Sequence, residues 1–262
     1  MRAHPAGPLH ADVVPSHEAA ARPATPDELN ALAAAVWPSS TRRNAAGAME
    51  IGGVDVRDAV MQYESPLFLL DEADVRSRAR RFRGAYIDSG ARSVYYAAKA
   101  LLATAVARWV SEEGLGIDVA SRGELEVALR AGVSGDVMVL HGNNKSMGEV
   151  EAAIAAGVGR IVIDSFEDIV RVADAAARAG IVQKVLVRVT VGVEAHTHEF
   201  IATSHEDQKF GLSMSSGAAD EAVRRIAKLP SLDFMGLHTH IGSQIFDAAG
   251  FEVAAARVVS LA

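Results

Sequence analysis

The sequence has no cysteine among its 262 residues. That removes disulfide frameworks, thiolate metal sites and a cysteine nucleophile together. Aromatic residues are scarce at 5%, and positive charge is the minority: 26 Lys and Arg stand against 33 Asp and Glu, a formal net charge of −7. An acidic balance argues against a protein whose main partner is a phosphate backbone, so no nucleic acid is expected. Long apolar runs are missing too. Charge interrupts each one within about ten residues, short of the ~20 that span a bilayer, and no membrane partner is expected. Positions 1–25 hold Pro and His but no apolar signal core, so secretion is not expected. What the chain does have is 50% hydrophobic and 23% charged residues, enough to bury a core and unlike a disordered composition. These features predict a globular protein of a reducing, cytoplasmic compartment.

Residues 1–46 are rich in Ala, Pro and Ser and read as a loosely held arm, with Thr25-Pro26-Asp27-Glu28 able to start a short helix. Met49–Val54 reads as a strand and turn. Ser65–Asp71 reads as a buried strand, followed by a basic helix over roughly 72–85 whose Arg76–Arg83 run is a solvated face. From residue 93 the pattern is regular. Apolar runs at Ser93–Ala97, Gly116–Val119, Val137–Leu140, Arg160–Ile163, Lys184–Val189 and Phe234–His238 alternate with Ala-rich amphipathic segments at 101–113, 122–131, 147–156, 167–179 and 216–228. That alternation predicts βαβ units and a parallel sheet. Gly132, Gly157 and Gly180 stand where helices close on a left-handed residue. The chain thus divides into an arm (1–46), a strand and helix segment (47–92) and a β/α region (93–262).

Strict alternation fits an open doubly wound sheet or a closed (β/α)8 TIM-type barrel. A doubly wound nucleotide binder carries a Gly-rich turn after its first strand. Here that strand runs into Tyr95-Tyr96-Ala97-Ala98-Lys99, so the barrel is preferred. At about 31 residues per unit, residues 93–262 hold about five and a half units. Six strands can be found, and the barrel is expected to be incomplete, with about six of its eight units.

Chemistry in such a barrel sits where strands end. There the sequence offers Lys99, Asp118 to Ser121, His141 to Lys145, Arg188, and His238 to Ser243. Lys99 reads either as a solvated surface lysine or as an amine able to trap a carbonyl as a Schiff base, with Ala97, Ala98 and Ala100 leaving room around it. Spacing leaves those two readings even. His240 alone reads as a core histidine satisfied by hydrogen bonds. With Gly242, which lets backbone approach closely, and Ser243, which offers a hydroxyl and an amide to phosphate, it suits a phosphorylated ring cofactor. His196, His198, His205, His238 and His240 raise a metal reading, but no carboxylate is spaced as in established metal motifs and no metal is assigned.

As a set, these residues resemble the diaminopimelate decarboxylases. The resemblance is carried by Tyr96-Ala97-Ala98-Lys99-Ala100, Gly116-Ile117-Asp118-Val119-Ala120-Ser121 and His141-Gly142-Asn143-Asn144-Lys145-Ser146. Val193-Glu194-Ala195-His196-Thr197-His198-Glu199, Lys209-Phe210-Gly211 and His238-Thr239-His240-Ile241-Gly242-Ser243-Gln244 extend it. The Lys99 and His240 motifs are shared with ornithine and arginine decarboxylases of the alanine-racemase-like fold (pyridoxal phosphate fold type III). The resemblance implies pyridoxal 5′-phosphate as cofactor and decarboxylation at the D-centre of meso-diaminopimelate to L-lysine. It implies that Lys99 carries the cofactor as a Schiff base and that His240 stacks on its ring. Gly242 and Ser243 would face the phosphate, Asp118 would lie near the lysine and Arg188 under the ring.

The family pattern continues with a Gly-Gly-Gly phosphate loop and a Glu-Pro-Gly-Arg motif whose Glu pairs with the pyridine nitrogen. Beyond them comes a β domain whose Cys-containing loop enters the partner's site in a homodimer. None of these is in this sequence. The expectation is therefore the N-terminal portion of such an enzyme, with the strand near 49–56 belonging beside that β domain and with little or no activity alone. Other pyridoxal phosphate decarboxylases or racemases of this fold, a non-catalytic cofactor carrier and a metal-dependent barrel hydrolase are the competing readings.

Overall fold

The computed structural model describes residues 31–33, 36–192, 210–242 and 248–261, which fall into two compact units, up to Ser77 and from Arg78. In the first unit β1 (Arg42–Arg43), β2 (Met49–Ile51) and β3 (Val54–Asp55) form an antiparallel sheet in that order. Helix α1 (Val56–Tyr63), which the apolar pattern did not indicate, starts on Asp55, whose side chain accepts from the Arg57 backbone N–H. The expected strand at Ser65–Asp71 does not form. The segment is extended and exposes alternate residues, with Phe68 at 93%, but it pairs with no strand among the described residues. An apolar run without a hydrogen-bonding neighbour stays an extended chain, its N–H and C=O groups left to other partners. Its last residue, Asp71, is buried; its carboxylate accepts from the Ser40 hydroxyl and, at 3.2 Å, from the Asp74 N–H at the start of α2 (Glu72–Asp88).

The second unit carries the alternation read from the sequence. Its strands are β4 (Tyr95–Ala97), β5 (Gly116–Val119), β6 (Met138–Leu140), β7 (Arg160–Ile163), β8 (Gln183–Thr190), β9 (Leu212–Ser213) and β10 (Leu232–His238). The helices between them are α3 (Thr104–Glu112), α4 (Arg122–Arg130), α5 (Met147–Ala155), α6 (Phe166–Ala179) and α7 (Ala218–Ile226), and α8 (Ala249–Leu261) follows β10. The sheet is parallel in the order β10-β8-β7-β6-β5-β4, with β9 beside the end of β8. All six predicted strands are there, and the α/β class holds.

Local chemistry sets the helix limits. Ser121, Ser146 and Ser165 each accept, at 3.2 Å, the N–H of an acidic residue three positions on, which caps α4, α5 and α6. Each of those helices then closes on a glycine at positive φ: Gly132, Gly157 and Gly180. Bonds from Val133 to Ala128, Val158 to Ala153 and Ile181 to Ala176, of 2.9–3.1 Å, complete the left-handed caps.

The core lies between the sheet and these helices: Ile117, Met138, Ile161, Ile163, Val185 and Val187 are fully buried. Alternation along a strand puts Asp118 and Arg188 on the other face, away from that core. Neighbouring strands lie about 4.8 Å apart, so a flat sheet of six would set β4 and β10 about 24 Å apart. Yet Lys99, just after β4, brings its Nζ to 3.4 Å from His240 Nε2, just after β10. The sheet is therefore strongly curled, with Asp118 and Arg188 on its concave face.

One irregularity places a site residue. Along β10, Phe234 is level with Val185, but Gly236 is level with Leu186, so Met235 is an extra residue in the ladder. Uninterrupted counting would set His238 against Val189, on the helix-facing side. The bulge, helped by Gly236 at φ 137°, sets it level with Arg188 on the concave face.

Candidate active site

Strand ends converge on a cavity of about 220 Å³ whose polar lining comprises Lys99, Asp118, His141, Arg188, His238 and His240. Lys99 sits in a single 3-10 turn, Ala98–Ala100, over the buried Ala98. Its side chain is exposed rather than enclosed, because it reaches from the sheet edge across the mouth to His240.

Burial dominates the electrostatics. It pulls His240 down to about 4, with Lys99 and Arg188 adding to the effect. It pulls His141 down to about 3, with Arg188 the next cause, and His238 to about 2, with His141 the next cause. All three imidazoles are neutral at physiological pH. Their rings pack accordingly: His141 and His238 meet edge to face with centroids 4.8 Å apart. Asp118 moves the other way. Burial raises its carboxyl to about 6 against the opposing pull of Lys99, while Glu124 raises it further and Arg188 lowers it. His141 Nε2 stands 3.5 Å from Asp118 Oδ1. Since His141 is neutral, this contact is dipolar rather than an ion pair.

Arg188 is 7% exposed, and burial lowers its guanidinium from the usual value against the pull of Asp164 and Asp118. Its Nε is 3.7 Å from Asp164 Oδ1, and its guanidinium carbon stands 4.5 Å from the centroid of the Phe210 ring. Gly211, next in sequence, holds φ +76° and donates its N–H to Asp164 Oδ2 at 3.1 Å. A Cβ there would come within 3.1 Å of the Arg188 carbonyl oxygen. Gly242 adopts φ 136°, closed to residues with a Cβ, where the chain leaves the site.

The structure thus gathers Lys99, Asp118, Arg188 and His240 at one cavity and places Gly242 two residues past His240. Ser243 lies outside the described residues, as do His196, His198 and His205. Among the described residues no group of three or more His, Asp or Glu side chains is arranged to hold a metal ion. Two lining groups, His141 and Phe210, and Asp164, which stands behind Arg188, had no role in the sequence reading. Asp164 directly follows the apolar run Arg160–Ile163, so the strand-end rule that picked out Asp118 also indicates it. His141 sat in a quoted motif without a function, and Phe210 carries no signal apart from its own motif.

Residues 72–262 match the family described as pyridoxal-dependent decarboxylase, pyridoxal binding domain. The diaminopimelate decarboxylase of Mycobacterium leprae is 53% identical over 261 residues, which cover 100% of this chain and 55% of that protein. That of Mycobacterium tuberculosis H37Rv is 56% identical over 235 residues, 90% of this chain and 52% of that protein. Among solved structures, diaminopimelate decarboxylase from M. jannaschii in complex with L-lysine superposes with a TM-score of 0.76 at 26% identity, over 86% of this chain and 52% of that one. The Helicobacter pylori enzyme complexed with L-lysine gives 0.71 at 26% identity, over 79% and 53%. The chain spans about half the length of the curated relatives it matches.

Proposed function

The chain belongs to the pyridoxal-dependent decarboxylases through its pyridoxal-binding domain, and on that premise we propose that it supplies the cofactor-holding portion of a diaminopimelate decarboxylase. The reaction is removal of the carboxylate at the D-centre of meso-diaminopimelate, giving L-lysine and CO2. The names of the relatives and the two lysine-bound neighbours support that substrate. The same reading carries a cytoplasmic homodimer for the full-length protein.

The cofactor of this family is pyridoxal 5′-phosphate, and the residues present fit it. A primary amine and a neutral, flat imidazole face each other across one small cavity, with a buried guanidinium on its wall. The observation that carries the reading is the 3.4 Å approach of Lys99 Nζ to His240 Nε2 from opposite ends of the sheet. When bound, the cofactor supplies an aldehyde that captures amines and a ring that accepts the electron pair left by the departing carboxylate.

The chain's own groups have separable tasks. Lys99 Nζ is the amine that would hold the cofactor. His240 would lie against the ring as an uncharged face, since its proton is lost well below physiological pH. Asp118, raised to about 6, takes up or gives back a proton beside Lys99 within the working range. Arg188 holds a fixed positive charge on the concave wall, steadied by Asp164 and Phe210. Gly242 would bring backbone close to the phosphate, followed by the Ser243 hydroxyl.

Reduction of the chain with borohydride in the presence of pyridoxal phosphate, followed by peptide mapping, tests the assignment. The adduct is expected on the peptide containing Lys99 and absent from Lys99→Ala; label spread over other lysines, or unchanged in the variant, overturns it. Substrate choice is checked by CO2 release from meso-diaminopimelate against ornithine and arginine. Turnover by these 262 residues alone is expected to be low, because the Glu that the resemblance pairs with the pyridine nitrogen is not among them.

A further inference from the structure

Beneath the cavity lies an ionic cluster to which the proposed reaction gives no task. Lys145 is 3% exposed and Asp168 0%. Lys145 Nζ stands 2.6 Å from Asp168 Oδ2 and donates to the Gly142 carbonyl, also at 2.6 Å. The same Asp168 oxygen accepts from the Asp164 backbone N–H at 3.1 Å. Asp164 then reaches upward: Oδ2 accepts from Gly211 N–H at 3.1 Å, and Oδ1 faces Arg188 Nε at 3.7 Å. From the outer side, Arg171 Nη1 donates to the Lys145 carbonyl at 3.2 Å and stands 3.7 Å from Asp168 Oδ1.

Stability alone does not account for this pair. A buried ion pair is commonly no better for the fold than apolar side chains of the same volume, because desolvation offsets the attraction. What apolar side chains cannot do is aim donors and acceptors at particular backbone atoms. The strands β6 and β7 end at Leu140 and Ile163, so Gly142 and Asp164 lie just past the ladder that would fix them. The pair replaces the ladder there, holding a carbonyl after one strand and an N–H after the next.

We propose that Lys145 and Asp168 are positioning residues of the cofactor site: through Gly142 and Asp164 they fix where Arg188, Phe210 and Gly211 stand around the cavity. The proposal rests on the pyridoxal phosphate reading only in the cofactor-binding arm of its test.

The double variant Lys145→Met/Asp168→Leu separates the two roles, and Asp168→Asn, which keeps the shape and one acceptor, is its companion. Each is compared with the unaltered 262-residue chain at a fixed interval below its own melting temperature. The double variant is expected to melt close to the unaltered chain. Amide exchange at Gly211 is nevertheless expected to quicken about tenfold, and cofactor affinity to fall about tenfold or more, because small misplacements of positioning groups are costly. Unchanged exchange at Gly211 in either folded variant overturns the proposal, whatever the cofactor does. Absence of cofactor binding in the unaltered chain sinks the functional reading instead, and leaves the exchange result to decide this one.

Discussion

At Asp118 the protein keeps a carboxyl in an environment that works against its charge. Burial lifts it to about 6, and Lys99 only partly reverses the effect. At pH 8 the carboxylate is charged and partly desolvated, so Asp118→Asn is expected to stabilise the fold by about 1–2 kcal/mol in urea unfolding. The same change is expected to slow capture of pyridoxal phosphate, read by absorbance, because the proton holder beside Lys99 is gone. Gly211 is the opposite case, a residue with no functional group that shapes the site by its backbone. Gly211→Ala would strain a backbone at φ +76° and press a Cβ toward Arg188, at an expected cost of about 1–2 kcal/mol in thermal unfolding and a weakened cofactor site. At this scale the sequence was readable wherever a reactive side chain ended an apolar run, as at Lys99, Asp118 and Arg188. Asp164 obeys the same rule. Lys145 and Asp168 do not: nothing in their spacing shows that two helix-start residues 23 positions apart meet at 2.6 Å.

The elements were readable because their limits are written locally. In α6 a serine opens the helix and a glycine closes it, and neither needs the rest of the fold to do so. Ser165→Ala and Gly180→Ala are each expected to cost about 1 kcal/mol. They stand at opposite ends of a 14-residue helix, so the double variant should show nearly the sum in chemical unfolding. Two features escaped local reading. The run Ser65–Asp71 has strand composition but no partner strand among the described residues, and pairing is not a local property. The extra residue at Met235 turns His238 to the concave face, and only the neighbouring strand shows that a residue is extra. The strand was legible there; the side its histidine faces was not.

For the whole molecule, acid is the condition to which the site makes the fold most sensitive. His141, His238 and His240 have folded values near 3, 2 and 4, below their ordinary 6.5. The unfolded chain therefore takes up protons first as pH falls below 6.5, and the stability these groups contribute above that pH is progressively lost. Asp118 acts oppositely, since its folded value exceeds its ordinary 3.8 and its stabilisation is present at low pH and lost as pH rises through about 6. Between pH 4 and 6 these four groups together account for about two protons, so their contribution to stability should drop by roughly 2–3 kcal/mol for each unit the pH falls. Denaturant midpoints measured across that range check this, and His238→Gln, which removes about one of those two protons, is expected to flatten the slope by about half. The curl of the sheet has a different consequence, in time rather than in energy. The amine and the imidazole that meet at the mouth are 141 residues apart in sequence. A chain folded only as far as β8 already holds Lys99, Asp118 and Arg188 but lacks His240, the imidazole that meets the amine. Contacts of such separation form late in folding. A ligand that needs both ends then reports that the whole sheet has been assembled, and its arrival stabilises only the molecules that have finished.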